Sequence, residues 1–291
     1  DYYTHERYGV PSMFSGNEPT TADSGTYSTY LFEREALAFL DENRDRPFFL
    51  YLPFNAPHSA SNLDPEIRGS VQAPTEYLNR YPEATNREEA RQRGYRAAVT
   101  CMDASIGKVL DRIKEYGLEE NTIVVFLSDN GGGLGADNSP FRGKKGQFYE
   151  GGIRVPSIIK WPGAVEAGSV NNQFLSSLEI MPTLLAATNV SVPESIVLDG
   201  FNMLSVLQGE NESSRQEMYW ELRGDQAARV GEWKWLKDKG GEHLFNLEED
   251  VKEENDLSID RPDKLKMMRK KFADWQKEMQ KAEPRGPFKD F

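Results

Sequence analysis

The sequence predicts an α/β protein in which a largely parallel sheet is followed by a small antiparallel sheet and a closing helix. In the longer, N-terminal part, helical and strand patterns of apolar residues alternate, as they do in parallel sheets built with right-handed crossovers. After the polar stretch GENESSRQ, four short strand patterns separated by glycine turns indicate an antiparallel sheet. We therefore predict an α/β domain at residues 1–212 and an antiparallel-sheet subdomain at residues 213–291.

The individual elements follow from periodicity. Residues 1–27 show no sustained period and predict irregular structure, and residues 59–92 are polar with several prolines, which indicates a long surface excursion. Spacings of three and four predict helices, and apolar runs predict strands, of which those at 48–54 and 122–127 are continuous enough to be buried on both faces. In chain order these are a helix at 30–40, a strand at 48–54, a helix at 93–116, strands at 122–127 and 155–161, and a helix at 175–188. The subdomain adds predicted strands at 217–222, 226–230, 232–237 and 243–247 and a helix at 262–281.

The charge balance excludes one class of partner. With 35 Lys and Arg against 47 Asp and Glu, the net charge of −12 argues against a nucleic-acid partner, since phosphate binding needs a basic surface. The sequence has no run of about 18 apolar residues, so no membrane-spanning helix is predicted. Its first residues lack the pattern of a signal peptide, and the single cysteine, Cys101, excludes an internal disulfide.

Two oxygen ligands follow the predicted strand at 122–127. Asp129 and Asn130 offer a carboxylate and an amide oxygen, which are hard ligands suited to Ca²⁺ or Mg²⁺. Three glycines follow them and provide the freedom to turn both side chains toward one ion. Two ligands cannot fill a calcium shell of about six to eight oxygens, so other residues must complete it. The alternative is a polar strand end with a turn and no metal.

A cationic loop comes next in the sequence. Arg142, Lys144 and Lys145 precede the triplet Glu150-Gly151-Gly152, and they stand out against the acidic composition of the chain. Cations beside a bound metal indicate an anion between them, as in phosphoryl or sulfuryl transfer. The alternative is a solvated basic loop without a ligand.

His58 is a further candidate, because it follows the predicted strand at 48–54. A histidine past the carboxyl end of a buried strand could donate to an anion or protonate a leaving group. The alternative is a histidine whose hydrogen bonds serve the structure alone.

Several of these motifs, in this order, resemble the sulfatases of the alkaline phosphatase superfamily. The matching segments are FFLYLPFNAPH, TIVVFLSDNGG and NSPFRGKKGQFYEGGIRVPSIIKWPG. The opening DYYTHER and the segment YSTYLFEREALAFL resemble in particular arylsulfatases of the N-acetylgalactosamine-4-sulfatase type, and the resemblance runs over nearly the whole chain. It implies an alkaline phosphatase-like sandwich with a mixed, largely parallel central sheet.

The resemblance assigns roles by position. It implies that Asp129 and Asn130 are two ligands of one Ca²⁺ ion and that Lys145 and His58 contact the sulfate group. Lys144 competes for the lysine role, but the spacing to Glu150 favours Lys145, and Arg142 is assigned to support of the loop. The implied reaction is hydrolysis of a sulfate monoester, either a sulfated small molecule or a glycan. The implied compartment is secreted, periplasmic or lysosomal.

One part of the family pattern is absent from the sequence. Such sulfatases use a formylglycine made from a C-x-P-S-R segment and further calcium ligands from an acidic pair near their start, and neither occurs here. Cys101 lies within an amphipathic helical pattern, which predicts a core residue. The chain is thus expected to correspond to the C-terminal portion of a sulfatase.

Further expectations follow from this correspondence. Alone, the chain should be inactive, should bind calcium weakly or not at all, and should expose a sheet edge unless a separate N-terminal chain pairs with it. Two alternatives stay open: a phosphodiesterase or phosphonate hydrolase of the same superfamily, and a noncatalytic module that binds sulfated glycans.

Overall fold

The computed structural model describes residues 1–282, which divide into two compact units. The first unit comprises Asp1–Thr122 together with Gly132–Asp137, and the second comprises Ile123–Gly131 together with the chain from Asn138 onward. The end of the predicted subdomain, residues 283–291, lies outside the described residues. The predicted domain boundary at residue 212 stays a prediction.

The first unit is built on two long helices. Helix α1 spans Ser28–Asn43, the short helix α2 spans Thr75–Leu78, and helix α3 spans Arg87–Glu115. The two predicted long helices are confirmed, but α3 begins at Arg87 because the side chain of Asn86 caps it. That cap accepts a hydrogen bond of 3.0 Å from a backbone N–H in the first turn.

The segment predicted as a strand at 48–54 packs along α1 and α3. It is extended, but it belongs to no strand ladder among residues 1–282. Phe48, Leu50 and Leu52 pack against the core of the two helices, whereas Phe49 and Tyr51 are 74% and 76% exposed. The prediction of burial on both faces is therefore wrong: the side chains alternate, and one face alone is covered.

The N-terminal segment contributes to the core, although its sequence is irregular. It forms two minimal hairpins, β1 (Glu6–Arg7) with β2 (Val10–Pro11) and β3 (Phe14–Ser15) with β4 (Glu18–Pro19). The rings of Tyr2 and Tyr27 stack with centroids 5.1 Å apart in a buried cluster. Residues of the predicted surface excursion at 59–92 join this cluster, so part of that excursion is packed. The contributing residues are Val71, Ala73 and Tyr77.

Cys101 lies in the same cluster, on α3, and it is fully buried. Burial raises the pKa of its thiol to about 11. We expect iodoacetamide at about pH 8 to leave Cys101 unmodified in the native protein, since about 0.1% of the thiol is ionised there and none of it is accessible. In urea the same reagent should alkylate it within minutes. Mass spectrometry measures the alkylation of Cys101 in both samples. Rapid labelling of the folded protein would refute the assignment of Cys101 to the core.

The second unit begins with a two-stranded sheet. Strand β5 (Val124–Leu127) pairs with strand β6 (Ser157–Lys160) in antiparallel register, Val124 lying opposite Lys160. The sequence predicts a largely parallel sheet, but every strand ladder among residues 1–282 is antiparallel. Apolar runs do not specify strand direction, because the same side-chain pattern suits parallel and antiparallel pairing. These strands are also only partly buried, and Ile158 of β6 is 64% exposed.

Short helices lie around this sheet. Helix α4 spans Glu150–Ile153, helix α5 spans Ile180–Ala187, and helix α6 spans Leu204–Leu207. A single 3₁₀ turn at Ser177–Glu179 leads into α5. The helix predicted at 175–188 is thus confirmed, and the chain enters it through the tighter turn.

The C-terminal sheet and helix agree with the sequence prediction. Strands β7 (Glu217–Leu222), β8 (Asp225–Val230), β9 (Trp233–Asp238) and β10 (Gly241–Asn246) pair antiparallel in the order β10-β9-β8-β7. Helix α7 spans Pro262–Lys281.

The two faces of this sheet contact different partners. One face, which includes Trp235 and Leu244, packs on Met268 and Phe272 of α7. The other face carries Ala227, Leu236 and Phe245, and it packs on Phe148 and Tyr149, which directly precede α4. The sheet therefore supports the segment that contains the candidate lysines. Within residues 1–282, no helix is long and apolar enough to cross a membrane.

Candidate functional site

Asp129 and Asn130 lie just past the end of β5. Asp129 is exposed and Asn130 is half-buried. The side-chain N–H of Asn130 donates to the carbonyl of Gly131 at 3.1 Å, so its amide oxygen is the atom left for a ligand. Among residues 1–282, neither that amide oxygen nor the Asp129 carboxylate accepts a hydrogen bond. Two oxygen donors in adjacent positions suit a hard cation.

The turn after these residues requires glycine. The backbone N–H of Gly131 donates to the carbonyl of Gly152 at 2.9 Å. A Cβ atom on Gly131 would lie 2.0 Å from the carbonyl oxygen of Gly151, which no side chain could tolerate. The end of β5 thus rests backbone against backbone on the Glu150-Gly151-Gly152 triplet, which we call the EGG turn.

The same turn holds the segment FRGKKGQFY at residues 141–149, which we call the basic loop. The N–H of Gly151 donates to the carbonyl of Arg142 at 2.7 Å. A Cβ atom on Gly152 would lie 2.0 Å from the carbonyl oxygen of Gln147. The EGG turn therefore connects the basic loop on one side with Asp129 and Asn130 on the other.

The cations of the basic loop differ in their surroundings. Lys144 and Lys145 are exposed, and neither side chain makes a hydrogen bond or ion pair with residues 1–282. The guanidinium of Arg142 lies 4.2 Å above the ring of Tyr149 and donates to the carbonyl of Glu253 at 2.8 Å. Arg142 therefore supports the loop, as predicted, and the choice of Lys145 over Lys144 stays a prediction.

A buried ion triad lies beneath the EGG turn, and sequence reasoning missed it. Lys234 of β9 is fully buried, and its Nζ atom lies 2.8 Å from Glu150 Oε1 and 2.7 Å from Glu253 Oε1. The carboxylate of Glu253 also accepts a hydrogen bond of 2.6 Å from the N–H of Glu150. Lys234 shares a sheet face with Leu236, two residues further along β9, and that face covers residues 148 and 149. A lysine between two tryptophans is the one signal in the sequence.

The triad gives the second unit a pH dependence. Burial raises the pKa of Glu253 above its ordinary value of 4.5, and attraction to Lys234 offsets this only in part. The folded state then keeps a proton at a pH where the unfolded chain has lost it, so this contribution to stability falls as pH rises through that window.

Comparison with Glu253→Gln isolates this contribution, because glutamine does not titrate. We expect the free energy of unfolding of the wild type, minus that of Glu253→Gln, to fall as pH rises above the ordinary glutamate value of 4.5. Urea unfolding followed by tryptophan fluorescence measures it, since Trp233 and Trp235 flank Lys234. A difference that rises with pH would contradict the direction.

His58 belongs to the first unit and lies in a tight turn, exposed to solvent. Its Nδ1 atom lies 2.7 Å from the carbonyl oxygen of Ser59. A carbonyl can only accept, so Nδ1 carries the hydrogen, and Nε2 is the nitrogen left for a ligand. The buried hydroxyl of Tyr2 lies 2.9 Å from the Asn55 carbonyl oxygen and 2.8 Å from that of His58. Tyr2 thus fixes the turn, a role that the irregular N-terminal sequence does not reveal.

Three of the four predicted site residues lie in segments that contact the EGG turn. Asp129, Asn130 and Lys145 belong to segments that meet at the EGG turn, whereas the part of His58 in this site stays a prediction. Within residues 1–282, no group of three or more His, Cys, Asp or Glu side chains could hold a metal ion. The donors at 129 and 130 fit calcium in kind, but two donors are fewer than its shell needs.

Comparison with known proteins identifies the family. Residues 2–190 match the family model described as Sulfatase, a span that includes all four predicted site residues. The chain belongs to the sulfatase family. Residues 143–281 also match the model described as N-sulphoglucosamine sulphohydrolase, C-terminal, which covers the basic loop from Gly143 onward and the C-terminal sheet.

Curated sulfatases are similar over a large part of this chain. A sulfatase of Formosa agariphila is 34% identical over 62% of this chain and 34% of its own length. Arylsulfatase J of Mus musculus is 29% identical over 80% of this chain and 40% of its own length. The N-acetylgalactosamine-6-sulfatase of Canis lupus familiaris is 33% identical over 71% of this chain and 37% of its own length. The chain thus matches between 34% and 40% of these relatives. The finer resemblance to the 4-sulfatase type stays a prediction.

Solved structures share the fold of this chain. The structure of Ps i-CgsB matches with a TM-score of 0.78 and 31% identity, over 92% of this chain and 60% of that one. Its complex with k-i-k-neocarrahexaose matches with the same TM-score and 30% identity, over 94% of this chain and 63% of that one. The predicted sulfatase fold, an α/β architecture with small antiparallel sheets, is confirmed.

Proposed function

We propose that the native polypeptide to which this chain belongs hydrolyses sulfate monoesters. The observation that carries the proposal is the family match over residues 2–190, because it spans the strand end, the basic loop and the EGG turn together. The geometry adds that backbone contacts of the EGG turn hold the end of β5 on one side and the basic loop, with its exposed lysines, on the other.

Each residue of the site has a proposed role. Lys145, without a partner among residues 1–282, would donate to a sulfate oxygen and stabilise the charge of the transferring group. Because Nδ1–H is held by the Ser59 carbonyl, His58 would act as the imidazolium, whose second proton on Nε2 would be donated to a sulfate oxygen or transferred to the leaving oxygen. Asp129 and Asn130 would hold one calcium ion, with the other ligands from outside these 291 residues. When bound, calcium supplies positive charge against the sulfate oxygens.

The remaining parts of the proposal concern the native polypeptide. Its nucleophile would be a formylglycine, which the family resemblance implies and for which this sequence has no C-x-P-S-R segment. Further strands outside the chain would complete a mixed, largely parallel central sheet, either in the same polypeptide or as a separate N-terminal chain. We place the enzyme in a secreted, periplasmic or lysosomal compartment.

A sulfated glycan is the proposed substrate class. The support is Ps i-CgsB, which shares 30% identity with this chain and is solved with k-i-k-neocarrahexaose bound. The chain has a net charge of −12, so an anionic substrate needs a local group of cations. The basic loop provides one, because it contains three cationic side chains within four residues.

A comparison of ester classes tests the proposal. The native polypeptide is incubated in parallel with an aryl sulfate, an aryl phosphodiester and a phosphonate monoester, and initial rates are measured. We expect sulfate release to be faster than either phosphorus reaction by about 100-fold or more, given the discrimination that a built site achieves.

The other outcomes assign the alternatives. Faster hydrolysis of the phosphodiester or the phosphonate would place the protein among those enzymes of the superfamily. Binding of a sulfated oligosaccharide without turnover of any ester would indicate a noncatalytic binding module.

A further inference from the structure

We propose that Glu253 is a positioning residue that, with Lys234, holds the EGG turn and thereby the basic loop in the geometry needed to contact sulfate. The inference rests on the proposed sulfatase function and adds to it a residue of the C-terminal sheet region. Glu253 follows β10 and lies 103 residues from Glu150 in the sequence.

Glu253 contacts both ends of the basic loop. Its backbone carbonyl accepts a hydrogen bond of 2.8 Å from Arg142, near the start of the loop. One carboxylate oxygen accepts a hydrogen bond of 2.6 Å from the N–H of Glu150, directly after the loop. The other oxygen lies 2.7 Å from Nζ of Lys234, which also binds the Glu150 side chain. Glu253 thus holds Arg142 and Glu150, the residues on either side of Lys144 and Lys145 in the sequence.

Local structure does not explain a glutamate at this position. Glu253 is fully buried and has a φ of 58°, in the left-handed region that disfavours residues other than glycine. Burial of a carboxylate is unfavourable unless it is paired and hydrogen-bonded. Both costs are offset by the contacts with the EGG turn and Lys234, so the side chain serves those contacts.

The position of Lys145 depends on this support. Its side chain has no hydrogen-bond or ion-pair partner among residues 1–282, so the loop backbone sets the position from which the flexible side chain extends. That backbone closes onto the EGG turn through the hydrogen bond from Gly151 to Arg142, and the turn also holds the end of β5 through Gly131. A shift at Glu253 would therefore move the lysine relative to Asp129.

The test compares Glu253 with a matched buried glutamate. Glu179 is also fully buried, accepts a hydrogen bond from the backbone N–H of Ser176 and pairs with Arg215, whose Nε atom lies 2.9 Å from its carboxylate. It makes no contact with the basic loop among the described residues. Alanine and glutamine variants of both glutamates are made in the native polypeptide. Turnover of an aryl sulfate and amide hydrogen exchange over residues 141–152 are measured for each.

We expect Glu253→Ala to lower kcat by about 10- to 100-fold and to raise the exchange rate of the loop amides about tenfold or more, because a displaced stabilising group costs about that much. Glu253→Gln should keep kcat within about threefold, since its amide oxygen still accepts from Glu150. Glu179→Ala should lower the Tm to a similar extent and leave kcat and loop exchange within about threefold of wild type. If Glu253→Ala does not fold, Glu253→Asp replaces it, because the shorter side chain withdraws the carboxylate and keeps its charge.

Two results would overturn the inference: wild-type loop exchange in Glu253→Ala, or equal losses of kcat in the two alanine variants. An inactive wild-type enzyme would contradict the proposed function. Amide hydrogen exchange over residues 141–152 in the Glu253 and Glu179 variants would still test whether Glu253 positions the basic loop.

Discussion

Replacing Lys234 by methionine is expected to lower the free energy of unfolding by about 3–5 kcal/mol, the usual cost of removing one partner from a buried ion pair. The substitution removes the cation between the buried carboxylates of Glu150 and Glu253. Glu150 keeps only Arg154, whose Nη1 atom lies 3.6 Å from its other oxygen, and Glu253 loses its one cation among residues 1–282. Methionine has nearly the length of the lysine side chain, so the loss reports charge and not an empty cavity. Urea unfolding followed by tryptophan fluorescence measures it.

Two further variants control for the substitution itself. Lys237→Met lies on the same strand but is exposed, and it should change the free energy of unfolding by less than about 0.5 kcal/mol. Adding Glu253→Gln to Lys234→Met should recover part of the loss, because it removes one uncompensated charge. A loss below about 1 kcal/mol for Lys234→Met would show that the ion pairs of Lys234 with Glu150 and Glu253 do not stabilise the fold.

Replacing Lys145 by alanine in the native polypeptide is expected to lower kcat/KM for an aryl sulfate by about 100- to 1000-fold, the effect of removing one preorganised donor to a transferring group. The fold should be unaffected, because the side chain is exposed and contacts no residue of the described chain. Lys144→Ala is the matched control, since it removes the same charge from the neighbouring position, and it should change kcat/KM by less than about threefold.

The comparison can reverse the assignment. If Lys144→Ala carries the large loss, the lysine that contacts sulfate is Lys144, and the spacing argument is wrong. His58→Ala should lower turnover with the fold intact, and wild-type turnover in both His58→Ala and Lys145→Ala would refute the site.

The C-terminal elements were predictable because their signals are local. Glycine turns separate β7 to β10, and α7 has a proline in its first turn and a charged surface. The apolar spacing predicts helix α3, but the helix starts where Asn86 caps it. Several polar residues in that stretch could serve as a cap, so the sequence alone does not identify Asn86.

Sheet pairing was not predictable in the same way. An apolar run shows that a segment can lie against a core, but pairing direction and the number of covered faces depend on distant segments. The run around Phe49 therefore predicts a buried strand, whereas the Phe49 side chain is largely exposed.

The candidate site also contains residues that local sequence predicts and contacts that depend on distant segments. Residue chemistry alone indicated Asp129, Asn130 and the basic loop, because oxygen donors, glycines and cations lie close together in sequence. The ion triad joins residues 84 and 103 positions apart, and a lysine is ordinarily a surface residue, so nothing local predicts that Lys234 is buried.

The central claim is that the end of β5 holds a calcium ion at the site where Lys145 contacts sulfate. The most direct test is the calcium dependence of aryl sulfate hydrolysis by the native polypeptide, measured for the wild type, Asp129→Asn and Lys145→Ala. We expect Asp129→Asn to need about 10- to 100-fold more calcium for half-maximal rate, because a ligand charge is lost, and Lys145→Ala to be slower at every calcium concentration with an unchanged midpoint. Identical calcium dependence in the wild type and Asp129→Asn would contradict the claim.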